Sequence, residues 1–324
     1  MDFAAFRALA PLCWRAPSAH NTQPWRLRYE PAAIRVGWDA AHTLPAADPT
    51  GRDLRLSLGA FVETCLIVAA DADLHLKYVA EHDDRWVGWL RPTAHRYSTP
   101  FRAIDVWERR TDRGHFAAGP GPDVLAAVDR VARRAGGSVR VVPHAGRLGA
   151  LLRTADRHLY ADPAITAELR RWLRLDPAHP NYHVDGLTDR CLALSRPAAV
   201  GLRAALDAYP VLRPLGLPRL LAAADNPLAR GGTVLALVAP DSLDPAGQVE
   251  FGRVLMRCWL TLHTAGLAAH PLSQLIDVAA TRTALAALLD VAPERLLHVV
   301  RVGLPTRPAP RSARRVGGGP PTTS

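Results

Sequence analysis

Two short strings carry the residue types best suited to chemistry. The first is Ala16-Pro17-Ser18-Ala19-His20-Asn21-Thr22-Gln23-Pro24-Trp25. Pro17 and Pro24 stiffen the turn, while Ser18 and Ala19 are small enough to let backbone approach a planar ligand ring. Asn21 and Gln23 carry amides that can meet a donor–acceptor edge, and Trp25 can anchor the next strand. A turn-rich loop ending in a buried tryptophan would account for these residues one at a time but not for their order. The second string is Glu108-Arg109-Arg110-Thr111-Asp112-Arg113-Gly114-His115-Phe116. Alone it reads equally as an exposed basic helix start, yet Arg109, Thr111 and Arg113 together offer the charge-assisted donors and the hydroxyl that a phosphate dianion takes. Arg311, Arg314 and Arg315 near the C-terminus could add to that charge or form a frayed basic tail. His20 is a candidate general acid, although a lone histidine in a loop more often serves as a hydrogen-bonded scaffold member.

Composition narrows the classes. The chain has 324 residues, 48% of them apolar and 22% charged, as globular proteins do. No apolar run approaches the roughly 20 residues that span a bilayer, and the N-terminus lacks the pattern of a signal peptide. Cys13, Cys65, Cys191 and Cys258 form no paired motif, so buried free thiols and a cytoplasmic location are expected. No His pair joined to acids marks a metal site. The net charge of +10 raises a nucleic-acid reading. Half of that excess, however, is local: Arg301, Arg307, Arg311, Arg314 and Arg315 fall in the last 24 residues with no acid among them. No helix-turn-helix, zinc-finger or RNP-like pattern accompanies it, which favours a small phosphorylated ligand over nucleic acid. No GxGxxG string follows a strand, so a Rossmann domain is not expected.

The elements that must position these strings follow from periodicity. A short helix over residues 3–15 and a hairpin over 26–38 lead to a helix whose core stripe runs from Leu54 to Ala69. Strands at 74–79 and 86–90 close a first half. The second half is expected to open with a helix at Arg109-Arg110. A helix at 123–135, a strand at 139–142 and a helical stretch at 145–174 come next. Residues 176–231 are proline-rich with weak periodicity, which predicts an irregular lid or insertion. A buried strand at 233–238 precedes a strong helix, capped by Asp244-Pro245 and ended by Gly266. A helix at 282–289 and a strand at 297–302 finish the fold. A shift of 193 residues superposes the two strongest helices, aligning Gly59 with Gly252, Cys65 with Cys258, Ala72 with Ala265 and Leu74 with Leu267.

The first string closely resembles the PSxxNxQPW signature of the nitroreductase superfamily, and Arg109–Arg113 resembles its RRSxR phosphate string, with Thr111 for the usual Ser. In an ordinary member one subunit carries both strings, RRSxR first, and two subunits share each FMN. Here the first half keeps the loop but has no RRSxR string before it. The second half keeps the arginines but has Ala135-Gly136-Gly137-Ser138 where the loop should be. Across nearly its whole length the chain resembles the Acg-like subfamily, through Asp48-Pro49-Thr50-Gly51-Arg52-Asp53, Ser57-Leu58-Gly59-Ala60, Glu168-Leu169-Arg170-Arg171-Trp172 and the final Arg-Arg pair. Leu58 stands where that subfamily more often has Cys.

The resemblance implies an α+β nitroreductase-like fold, a tandem pseudo-dimer with mixed or antiparallel central sheets flanked by helices. Residues 1–102 would form the half with the flavin loop. Residues 103–316 would form the half with the phosphate site, including the lid at about 176–231, and 317–324 a disordered tail. It implies FMN held by Pro17, Ser18, Ala19, Asn21, Gln23, Arg109, Thr111 and Arg113, by backbone at Leu272 and Ser273, and by Arg311, Arg314 or Arg315. NAD(P)H would be the co-substrate, with hydride passing through flavin N5 to a nitroaromatic, a quinone or a pathway-specific small molecule. A monomer acting as an intramolecular pseudo-dimer, without nucleic-acid or membrane partners, is expected. The alternatives are a flavin-storage protein with little turnover and a flavin-dependent dehydrogenase of natural-product biosynthesis.

Overall fold

The computed structural model describes residues 3–143 and 146–315, so the expectation of disorder for 317–324 lies outside the described residues. Helix α1 (Ala4–Cys13) leads into the proline-bracketed loop, which delivers Trp25 to the core. There the Trp25 ring stacks on Phe61 at 4.8 Å and meets Trp14 edge-on at 6.4 Å, an arrangement that fixes the start of the hairpin. Strands β1 (Trp25–Tyr29) and β2 (Ile34–Trp38) precede the long helix α2 (Arg52–Asp71). The Asp48 carboxylate accepts from the Leu54 N–H at 2.8 Å, satisfying one of the helix's orphan donors. With β3 (Leu76–Asp83) and β4 (Trp86–Pro92) the strands form an antiparallel sheet of order β1-β2-β4-β3. Ile34, Val36, Val87 and Leu90 join α1 and α2 in one apolar cluster. Arg35, by contrast, lies over Trp86 and Trp89, at 4.9 and 5.1 Å.

Helix α3 (Ala103–Glu108) ends where the arginine string begins. Arg109 has ψ 130, so the chain leaves it extended, and Arg109-Arg110 follows a helix instead of opening one. Tertiary pairing overrides local propensity here: Thr111 bridges Ala269 in parallel, and the Asp112 N–H donates to the Ala269 carbonyl at 3.0 Å. Then come α4 (Pro122–Arg133), β5 (Ser138–Val141), α5 (Arg147–Ala161) and α6 (Pro163–Trp172). Two-residue strands β6 (Leu173–Arg174) and β7 (Leu187–Thr188) pair in parallel. Residues 176–231, expected to be irregular, contain three helices, α7 (Arg196–Asp207), α8 (Tyr209–Leu212) and α9 (Leu217–Ala224). Each has a proline in its first turn, where proline is tolerated. Val200, Val211 and Leu220 of these helices are exposed, while Ala199, Leu206, Tyr209, Leu217 and Ala222 face inward.

The second sheet is built from β8 (Thr233–Val238), β9 (Ala268–Pro271) and β10 (Leu296–Gly303) with β5, in the antiparallel order β5-β8-β10-β9. Helix α10 (Pro245–Thr264) connects β8 to β9, and α11 (Gln274–Asp277) and α12 (Ala279–Leu289) connect β9 to β10. Along β8, Leu235 and Leu237 enter the cluster under α10, whereas Val234, Ala236 and Val238 enter the one shared with α5, α11 and α12. Covered on both faces, β10 is buried along its whole length.

The two sheets meet through α2 and α10. A Cβ on Gly59 would lie 1.9 Å from the Val249 carbonyl, and one on Gly252 would lie 2.4 Å from that of Leu56. Only glycines allow so close a crossing. These two contacts exchange under the 193-residue shift. Arg55 Nε donates at 2.8 Å to Gln248 Oε1, its own counterpart in that shift. When β1, β2, β3 and β4 are matched with β5, β8, β9 and β10, the strand orders coincide. Among the described residues no helix is long and apolar enough to cross a membrane.

Candidate functional site

The loop between α1 and β1 is held in a conformation that most side chains avoid. His20, Asn21 and Gln23 have φ of 47, 54 and 53, and backbone strain of this kind concentrates at functional sites. Within the loop the Ser18 hydroxyl accepts from the Gln23 N–H at 3.0 Å, and the Ser18 carbonyl from the Asn21 N–H at 3.0 Å. Pro17, Ser18 and Ala19 are half-buried. The His20 Nδ1 is buried without a partner among the described residues. Burial, aided by the Arg113 charge, lowers the His20 pKa to about 4, so the ring is neutral at physiological pH and is not a charged acid there.

An arginine cluster lies against this loop. Arg109 Nη2 reaches the Arg15 carbonyl at 3.4 Å, while its Nε and Nη1 are buried with no partner among the described residues. The Arg15 Nε is likewise buried and unpartnered, and its Nη1 donates to the Ser312 carbonyl at 3.1 Å. Burial lowers the Arg15 pKa to about 9, with Arg311, Arg109 and Arg110 pushing the same way. Burial alone lowers Arg109 to about 10. Arg314 is driven down by burial and then by Arg15 and Arg109. Among the described residues, no carboxylate is one of the groups acting on these three. Arg15 and Arg109, which repel each other and carry buried unmet donors, form a donor set suited to an anion.

The expected residues divide within this neighbourhood. Arg113 Nη1 donates to the Cys191 carbonyl at 3.0 Å, and the Arg113 charge acts on His20 and His270. Thr111 is half-buried beside β9. Arg311 donates once, to the Trp107 carbonyl at 2.6 Å, and rides on the Trp107 ring at 4.1 Å. Arg314 is different, because its N–H groups are all engaged by the chain. They reach the carbonyls of Trp14, Arg15, Ala16 and Ala313, and Asn21 Oδ1 at 2.8 Å. Arg315 pairs with Asp185 at 3.3 Å and contacts His42. The amides of Asn21 and Gln23 face protein as well. The Leu272 N–H is taken by the Val299 carbonyl at 2.8 Å, and Ser273 caps α11 through its carbonyl. Neither residue is hydrogen-bonded to the arginines of the cluster.

Sequence reasoning passed over Arg15, Asp185 and Cys191. Arg15 had one local signal, a charge set between apolar Trp14 and Ala16 at a helix end. Asp185 and Cys191 had none, because their partners lie far off in the chain. Arg301, counted in the C-terminal charge excess and placed on the last strand, is fully buried in β10. It donates to the carbonyls of Gly114, Arg230 and Gly231 and to His270 Nδ1, so it is a staple between segments.

An α+β protein with two matched sheets and an acid-free arginine cluster at a strained loop is the class defined so far. No family model matches the chain. It is 28% identical over 325 residues to the protein named "Putative NAD(P)H nitroreductase Rv3131" of Mycobacterium tuberculosis, covering 97% of this chain and 90% of that one. It is 30% identical over 133 residues to "Putative NAD(P)H nitroreductase acg" of the same organism, covering 37% and 38% of the two chains. A solved nitroreductase-named structure from Anabaena variabilis overlaps 93% of this chain and 73% of its own, with TM-score 0.43 and 12% identity. The sequence relatives support a place in the nitroreductase superfamily: the chain is similar over nearly its whole length to one protein of that name, and Acg is among the proteins it resembles.

Proposed function

We propose that the chain is an FMN-dependent oxidoreductase of nitroreductase type that uses NAD(P)H and a small organic acceptor, with one flavin site shared by two halves of a single polypeptide. The observation that carries this reading is the buried pair Arg15 and Arg109 beside the strained loop, with unpartnered donors among the described residues and the half-buried Arg311 next to them. A phosphate dianion fits that donor set. The halves would be residues 1–102 and 103–316, related by a duplication. The matched strand orders, the reciprocal glycine contacts and the Arg55–Gln248 pair support this. Isologous contacts of this kind are what a two-fold interface produces, and a monomer would then suffice. Four buried free cysteines fit a reducing, cytoplasmic compartment.

When bound, FMN supplies hydride acceptance and donation. The chain binds and orients. Arg15, Arg109 and Arg311 would hold the phosphate, with Arg113 and Thr111 next along the same extended segment. The compact backbone at Pro17, Ser18 and Ala19 would leave room for the ring. The neutral His20 and the closed loop exclude water instead of supplying protons. The test is the visible spectrum of the purified protein with and without anaerobic NAD(P)H. A flavin spectrum that bleaches and returns on adding a quinone is expected. A protein that stays colourless after incubation with FMN rejects the cofactor, and one that binds FMN without bleaching rejects the turnover.

A further inference from the structure

The side-chain amides of Asn21 and Gln23 are fully engaged by two distant segments. Asn21 Nδ2 donates to the Gly186 carbonyl at 3.1 Å and to the Ala313 carbonyl at 3.2 Å, and its Oδ1 accepts from Arg314 at 2.8 Å. Gln23 Nε2 donates to the Val184 carbonyl at 2.9 Å, and its Oε1 accepts from the Arg315 N–H at 2.9 Å. The Gly186 N–H returns a bond to the Asn21 carbonyl at 3.2 Å. Both side chains are buried. An amide has two donors and one carbonyl oxygen, so reading a ligand edge would strip buried groups of the partners they have.

We infer that Asn21 and Gln23 are positioning residues, a double latch that holds segment 184–186 and tail 313–315 shut against the loop. The left-handed backbone at both positions turns successive amides toward segments that could not otherwise meet. Gly186 is part of the device, since with φ 73 a Cβ there would lie 2.4 Å from the Trp172 carbonyl. Arg315 ties the two closed segments directly, through Asp185. The same tail carries Ser312, whose carbonyl accepts from Arg15, so closing the latch also seats an arginine of the cluster. An anion entering that cluster therefore meets a closed door. Release of the two amides is the step that opens it.

The part of this inference that concerns cofactor entry rests on the flavin reading; the latch itself does not. The experiment uses the full chain and its Asn21→Ala and Gln23→Ala variants. It measures FMN association and dissociation by quenching of flavin fluorescence, and hydrogen exchange at 184–186 and 313–315 without FMN. A latch slows entry and exit alike. Each variant removes more than one of these bonds and should therefore raise both rates by about tenfold or more, tenfold being about 1.4 kcal/mol, while Kd stays nearly constant. Exchange should rise in both segments and not in β8 or β10. Faster dissociation with unchanged association would make the amides ligand contacts and overturn the latch, as would unchanged exchange in the two segments. If the wild-type chain binds no FMN, the flavin reading fails and the exchange arm still decides the latch. Should the alanine variants not fold, Gln23→Glu keeps the acceptor for Arg315 but loses the donor to Val184. It should then loosen 184–186 more than 313–315, and equal exchange in the two would overturn the inference.

Discussion

The connection from α1 to β1 and the one from α4 to β5 occupy matched places in the two sheets, and they could hardly differ more. The first, residues 14–24, holds three non-glycine residues at positive φ and places Arg15 in the arginine cluster. The second is Arg134-Ala135-Gly136-Gly137, where a Cβ on Gly137 would lie 2.4 Å from the Phe251 ring. One connection is long and strained, the other as short as packing permits. Between the halves, what repeats is what the helix seam needs, namely the close glycine crossing and the strand order. What differs is whatever could touch a ligand. A core whose two matched sheets pack against each other through one seam tolerates little change there, while connections outside the seam are free to differ.

The largest expected effect breaks the matching inside the seam. Glu63 is fully buried and accepts from Tyr97 at 2.6 Å and from Arg253 Nε at 3.0 Å. Under the 193-residue shift Glu63 corresponds to Met256 and Arg253 to Ala60, and those two lie together in a purely apolar cluster. Glu63→Met alone should cost about 3 kcal/mol, because Tyr97, Arg253 and Arg257 lose their buried acceptor and Arg253 keeps, as its acid partner among the described residues, only the half-exposed Glu250, at 2.7 Å. Adding Arg253→Ala makes the pair resemble its counterpart and should restore most of that loss, since a buried ion pair exchanged for apolar residues is close to neutral. A double-mutant cycle read by urea unfolding measures it. Simple additivity of the two losses would contradict the matched-pair view.

Next in size is the contrast between the two connections in charge. Arg109→Met keeps much of the volume while removing a buried cation with unmet donors. FMN binding should weaken by about 1.5–3 kcal/mol, the usual worth of a charged hydrogen bond. The ligand-free protein should hold its stability or gain, because like-charge repulsion and desolvation are relieved. Arg134→Ala, exposed in the connection from α4 to β5, should move stability by no more than about 0.5 kcal/mol and leave FMN binding unaltered. Titration with FMN and thermal unfolding of the same samples give both signs. Loss of ligand-free stability in Arg109→Met without loss of FMN affinity would remove the anion site.

A third effect reads charge across the seam. His298, in β10, is lowered to about 4 by burial, against an ordinary value of 6.5. Between those values the unfolded chain binds a proton that the folded chain refuses, so stability falls as pH drops from 6.5 toward 4. Asp277 opposes it: burial and the Asp53 carboxylate raise its pKa, so its contribution to stability grows on acidification. His298→Gln removes only the first contribution. Relative to wild type, the variant should gain about 1.4 kcal/mol per pH unit at most below pH 6.5. Urea midpoints at several pH values test this, and a difference independent of pH would show that His298 titrates normally.

Much of this was legible in the sequence, for identifiable reasons. Both hairpin strands, β8 and the two long helices follow from alternation and 3.6-residue periodicity, because their buried faces are continuous. Asp244 and Pro245 announced the start of α10, and Asp244 accepts there from the Gly247 N–H at 2.7 Å. Helices α7 to α9 were hidden because each carries a proline in its first turn, which reads as a breaker until the helix start is known. Arg109-Arg110 was read as helical because nothing local reveals the pairing of Thr111 with Ala269. At the site, the order of residues in the loop singled out the segment that holds three non-glycine residues at positive φ. The partners of Asn21 and Gln23 could not be read, since they lie more than 160 residues away.

The smallest effect tests the matching at its finest grain, in the way α2 and α10 end. The Leu74 N–H donates to the Ala69 carbonyl at 2.8 Å, and the Leu267 N–H to that of Leu262 at 3.0 Å, the same bond 193 residues on. The residue before each leucine is left-handed, Asp73 with φ 56 and Gly266 with φ 77. A Cβ on Gly266 would meet nothing within 4 Å. Gly266→Ala should therefore cost only the conformational penalty, roughly 1–2 kcal/mol. Asp73→Gly should gain less than that penalty suggests. Aspartate tolerates the left-handed region better than alanine, and a new glycine loosens the unfolded chain by about 0.4–1 kcal/mol in the opposite sense. A net gain near 0.5 kcal/mol is the expected balance of those two terms, measurable as a shift in urea midpoint at constant slope. Were Asp73→Gly to destabilise the chain by more than the unfolded-state contribution alone, the Asp73 carboxylate would hold a role at its helix end that Gly266 lacks, and the two caps would no longer be equivalent.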